Sequence, residues 1–122
     1  FIDHITDNYD FAPGFVTRNF AKFLDFGKGW QIPLENIAIM TPFNKIGFQM
    51  SPSREACENA INNANGANVI AMSILAGGQL NLTDAINYIS TLNNLKSVAV
   101  GVSSSSHAEE TFKLLQTNLF KE

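Results

Sequence analysis

Two short stretches, LAGGQ at residues 75–79 and GVSSSS at residues 101–106, put glycines and hydroxyls where an apolar run turns toward a helix. Gly77 and Gly78 allow close backbone approach and a left-handed turn. Gly101 with Ser103, Ser104 and Ser105 offers hydroxyls and N–H groups at a helix start, whose dipole favours negative charge. Together they read as a ligand-binding cradle for an anion, a phosphate group above all, although the same residue types also serve as turn and cap residues. Lys45, in TPFNKIGF, follows an apolar run and sits in a turn-rich loop. It is the candidate for a charged catalytic or substrate-binding group, with Asn44 beside it as ligand-binding. His4 stands between Asp3 and Asp7, the composition of a general base oriented by a carboxylate, and is a second catalytic candidate. Asn19, after GFVTR, is a further polar ligand-binding candidate.

These residues share one relation to the elements that must hold them. Apolar runs at residues 36–40 (NIAIM), 69–75 (VIAMSIL) and 97–102 (SVAVGV) are continuous rather than alternating, as in strands of a parallel sheet buried on both faces. Helical stripes follow each of them: Cys57, Ala60, Ile61 and Ala64; then Ala85, Ile86, Ile89 and Leu92; then Ala108, Phe112, Leu115 and Leu119. Ser51 with Pro52 offers a start to the first, Asn81 or Thr83 to the second, and Ser106 with Glu109 forms a capping box for the third. A strand at residues 14–17 and a helix at residues 19–26 precede them, and residues 2–6 suggest another short strand. If the first two strands were parallel neighbours, the chain between them would be too short for a crossover. The repeat implies an α/β fold, a single domain over residues 1–122, with four to five βα units: part of a (βα)8 TIM barrel, in its carboxyl-terminal half, or a small open flavodoxin-like sheet. In both, ligands bind beyond the carboxyl ends of the strands, where all the loop candidates fall.

Composition narrows the partners. A net charge of −3, with eight basic residues scattered singly, argues against nucleic acid and anionic membranes. The longest apolar run is far short of a spanning segment, so a cytoplasmic setting with no membrane partner is expected. One cysteine, Cys57, excludes an internal disulfide, and no His/Cys spacing suits a metal. Eight of the ten phenylalanines fall in the first 48 residues and must bury their rings against something. A half-barrel has two bare edges, so self-association or a missing amino-terminal half-barrel is expected. The alternative is a non-catalytic α/β module that self-associates or binds a partner through its Phe-rich amino-terminal half.

The segment VIAMSILAGGQLNLTDAINYISTLNNLKSVAVGVSSSSHAEETF (residues 69–112) resembles the last two βα units of divergent aldo-keto-reductase-type TIM barrels, and an archaeal-type barrel family of similar pattern. IMTPFN (39–44) and GFVTRN (14–19) resemble further strand ends of that family. The resemblance implies an oxidoreductase-like barrel with NADP held at the last loops, its phosphates on the final turn and its carboxamide toward the positions of Thr17 and Asn19. The chain departs from that pattern at Gly101 and His107, where the family carries Lys and Arg, and at Met40 and Met72, where it carries Gln and an aromatic ring.

Overall fold

The computed structural model describes residues 1–119 and shows an α/β fold built on one four-stranded, all-parallel sheet. The elements run α1 (Ile2–Asn8), β1 (Gly14–Val16), α2 (Phe20–Gly29), a 3-10 turn (Leu34–Asn36), β2 (Ala38–Pro42), α3 (Arg54–Asn62), β3 (Asn68–Met72), α4 (Leu82–Ile89), β4 (Leu95–Val98) and α5 (Ser105–Asn118). Strand order in space equals order in sequence, β1-β2-β3-β4. Such an arrangement is common to part of a βα barrel and to a small open α/β sheet.

Register decides which side chains share a face. Gly14, Ala38 and Asn68 align, as do Phe15, Ile39 and Val69, and Val16, Met40 and Ile70. A bulge at Val69 and Ile70 then sets Ser97 opposite Ile70 and Val98 opposite Ala71. On one face Ile37, Ile39, Phe43, Val69 and Ala71 are fully buried. There they meet Phe20 and Leu24 of α2, Cys57 and Ile61 of α3, Ala85, Ile86 and Ile89 of α4, and Leu115 of α5. These helices form one layer, with the Tyr88 hydroxyl of α4 donating to Glu58 of α3 at 2.8 Å. Burial, and then that bond to Glu58, raise the Tyr88 pKa. Burial also pushes up the Cys57 thiol, which donates to the Ser51 carbonyl at 3.2 Å. On the opposite face Ala38, Met40, Ile70 and Met72 are only half-buried and Val16 is 70% exposed.

Local chemistry sets the boundaries. Residues 2–6 form a helix rather than the expected strand: Ile2 and Ile5 sit one turn apart and are the half-buried positions of α1. With no strand there, the crossover problem before Pro13 disappears. Phe1 and Ile2 lay α1 against Phe15, whose ring also meets Phe23 at 5.4 Å. Helix α3 starts at Ser53 rather than Ser51, its side chain accepting from the Ala56 N–H at 3.1 Å, after a cis Ser51–Pro52 bond. Asn81 caps α4 as expected, accepting from Asp84 at 2.8 Å. Helix α5 is capped by Ser104, not by the expected Ser106 and Glu109 box, and its buried positions are Thr111 and Leu115 rather than Phe112, which is 55% exposed.

Two buried hydroxyls, those of Thr41 and Thr111, find no hydrogen-bond partner among the described residues. An unpaired buried hydroxyl costs about 1–3 kcal/mol, so Thr111→Val, which keeps the shape and removes the polar atom, is expected to leave stability unchanged or raise it by about 1 kcal/mol in urea unfolding. A loss of 1 kcal/mol or more would show that the hydroxyl is bonded in solution.

Candidate functional site

The carboxyl ends of β2, β3 and β4 open into a cleft of roughly 530 Å³. Its walls come from three loops: Phe48 and Gln49 after β2; Met72, Ser73, Ile74, Leu75, Gly77 and Gly78 after β3; Ala99, Val100 and Gly101 after β4. The backbone here is left-handed with unusual density. Gly47, Gln49, Ser73, Ala76, Gly77 and Gly78 all have φ between 51° and 89°, and three of them carry a side chain. Such residues cost about 1–3 kcal/mol each outside glycine and persist only where surroundings over-determine them.

Asn44 supplies much of that determination. Its side chain, fully buried, donates to the carbonyls of Phe48 (2.8 Å) and Ser73 (3.2 Å) and accepts from the Phe48 N–H at 2.7 Å. One amide thereby ties the loop after β2 to the loop after β3. The Asn44 N–H points at Met50 Sδ, 3.4 Å away. Read from sequence as a ligand contact, Asn44 is occupied by the protein itself and acts by holding the cleft wall. The loop after β3 closes on itself through Ala76 N–H to Ser73 O (2.9 Å), Gly78 N–H to Leu75 O (3.0 Å) and Leu80 N–H to Leu75 O (3.0 Å). The N–H groups of Gly77 and Gly101 have no backbone acceptor among the described residues.

The sequence candidates divide into three groups. Gly77, Gly78 and Gly101 line the cleft together, and a Cβ added at Gly78 or Gly101 would meet open space. Ser103, Ser104 and Ser105 follow Gly101 at the start of α5 and are exposed, outside the lining. Ser104 Oγ accepts from the His107 N–H at 3.1 Å, and the Ser103 N–H points to His107 Nδ1 at 3.4 Å, so the helix end uses these hydroxyls and the ring. Lys45 is exposed, its carbonyl accepting from Arg54, and it lines no part of the cleft. Asn19 caps α2, accepting from the Lys22 N–H at 3.0 Å. His4 lies on α1, with Asn8 Nδ2 3.4 Å from its Nδ1 and Tyr9 edge-on, and no carboxylate orients it among the described residues. Its neighbours Ile2, Asp3, Thr6 and Asp7 border a cavity with Pro13, Asn36, Ala38 and Asn68, at the amino ends of the strands.

Phe48, Gln49 and Val100 are cleft residues that the sequence did not single out; the apolar ones read as packing, and Gln49 carried no signal of its left-handed turn. Among the described residues no Lys, Arg or His lines the cleft, so an anion there would meet backbone N–H groups and the Ser73 and Gln49 side chains. Among the described residues no cluster of three or more His, Cys, Asp or Glu suits a metal, and no helix is long and apolar enough to cross a membrane. Comparison with protein-family models, with curated proteins and with solved structures finds no match.

Proposed function

We propose that this chain is one half of a (βα)8 barrel, equivalent to the carboxyl-terminal half of the aldo-keto-reductase-type barrels its loops resemble, and that its cleft holds the phosphate of a small phosphorylated ligand. The observation that carries this reading is the meeting of Gly77, Gly78 and Gly101 at the carboxyl ends of adjacent parallel strands, with unpaired N–H groups at Gly77 and Gly101. Ser103 and Ser105 follow Gly101 closely in the chain and are exposed, available to a ligand that extends past Gly101. The absence of a basic side chain in the lining favours a singly bound phosphate ester over a 2′-phosphorylated dinucleotide gripped in the family manner; NADP is therefore a ligand to test, and the chemistry an oxidoreductase-like reaction to test with it. Lys45, exposed and outside the lining, is the candidate the sequence offers for the reacting end, and remaining catalytic groups would come from the other half. The ligand class suggests a cytoplasmic protein.

Thermal unfolding with inorganic phosphate, sugar phosphates and NADPH tests the site. A ligand at 100 times its dissociation constant stabilises by about 2.7 kcal/mol, a rise of roughly 10 °C in a domain of this size. Gly101→Val, which adds a branched side chain in open space at a cleft glycine without a left-handed φ, is expected to abolish the rise. No rise with any of the three ligands would remove the phosphate reading.

A second reading rests on a different surface. Phe1, Phe15, Phe23, Phe26 and Trp30 border an apolar groove of roughly 580 Å³, and Trp30 is 75% exposed. This favours a non-catalytic module that binds a partner through its Phe-rich amino-terminal half. A Phe26→Ser, Trp30→Ser variant that loses self-association or partner binding, while phosphate gives no thermal rise in the parent chain, would select it.

A further inference from the structure

We infer that the bare face of the sheet is covered by a second copy of this chain, β4 of each copy pairing with β1 of the other to close an eight-stranded parallel barrel. This rests on the half-barrel reading above but not on the phosphate cleft.

Three observations converge. First, the face is largely apolar: the aligned positions are Gly14, Val16, Ala38, Met40, Asn68, Ile70, Met72 and Ser97, with the charged Lys96 exposed at the bulge of the edge strand β4. A parallel sheet open to water on one side is rare, because its strands are apolar on both faces, and here the helices cover only one. Second, the two edges are both unpaired and complementary in direction. Thr17 N–H bonds to Met40 O, and Ala38 N–H to Pro13 O, so the odd-numbered residues of β1 face β2 and the N–H and C=O groups of Gly14 and Val16 face outward. β4 ends the sheet on the other side. A two-fold axis parallel to the strands keeps all eight parallel and satisfies both edges of both copies at once; a partner that adds to a single edge leaves the other edge and the face uncovered. Third, four strands doubled make eight, the number at which a barrel interior is just filled by side chains, and Val16, Met40, Ile70 and Met72 from each copy are of the size that fills it.

Val16 tests this without disturbing the single copy, since its side chain is 70% exposed. Light scattering coupled to size exclusion is expected to give a dimer for the parent chain and at least a 100-fold weaker dimer for Val16→Lys, with an unchanged circular-dichroism spectrum. A parent chain that is monomeric at 100 µM overturns the second copy as the occupant. If that monomer still responds to phosphate, the half-barrel reading survives and the other half belongs to a different segment or chain. A dimer that Val16→Lys leaves intact overturns the barrel seam and the half-barrel reading with it.

Discussion

Asn44→Ala is expected to destabilise the protein by about 3 kcal/mol or more in urea unfolding. The substitution removes one side chain but strands three backbone groups, the Phe48 N–H and the carbonyls of Phe48 and Ser73. A buried group left without a partner costs about 1–3 kcal/mol and these part-buried ones toward the lower end each, with the losses falling at and beside residues held at positive φ, Gln49 and Ser73. Asn44→Asp separates the hydrogen bonds from simple volume. It is nearly isosteric and still accepts from Phe48, yet it turns a donor into a buried carboxylate facing two carbonyls, so it should be no better than alanine. Because Phe48 and Ser73 are walls of the cleft, either variant should also lose any thermal response to phosphate. A cost below 1 kcal/mol for Asn44→Ala would mean that the two loops hold their shape without the clamp.

Phe43→Ala is expected to cost about 3–5 kcal/mol, the usual range for removing a buried aromatic ring. Phe43 is fully buried, meets Phe20 edge-to-face at 5.9 Å between ring centres, and its N–H continues the sheet by bonding to Met72 O at 3.1 Å. Phe43→Leu keeps the apolar character and should cost far less, about 1–2 kcal/mol. A double-mutant cycle with Phe20→Leu should return a coupling of about 0.5–1.5 kcal/mol for the ring pair. A coupling near zero would assign the whole effect to burial. The position matters for the cleft because Phe43 anchors, from inside the core, the residue immediately before the Asn44 clamp.

The alternation of strands and helices was legible because each βα unit writes its own signal: a continuous apolar run, then a one-sided stripe. The strand at residues 36–40 and the observed Ala38–Pro42 differ by two residues, since Pro42 fits a strand end without needing its N–H. The strand at residues 97–102 and the observed Leu95–Val98 differ because the bulge moves pairing toward the amino end, which apolarity alone does not encode. Ile2 and Ile5 misled because β-branched residues three apart suit a helix face as well as a short strand. In the cleft, the left-handed turns at Gly77 and Gly78 were legible since glycine reports a backbone requirement directly, whereas Gly101 has neither a positive φ nor a close neighbour to require it. Asn44 was legible as important but not in its role, because a polar residue at a strand end looks the same whether it serves a ligand or the loop. The left-handed turns at Gln49, Ser73 and Ala76 left no trace, being imposed by hydrogen bonds between loops rather than by their own side chains.

The order β1-β2-β3-β4 has a consequence for how the molecule assembles. Gly14 finds Ala38, Ala38 finds Asn68, and Val69 finds Leu95, so every pairing closes a stretch of chain of similar length. Loop-closure entropy varies only with the logarithm of that length, and no pairing waits for a distant one. The chain is accordingly built to zip one βα unit at a time, and a nick in the turn at Asn65 and Gly66 would leave two pieces of two units each, able to find one another again along the β2–β3 seam.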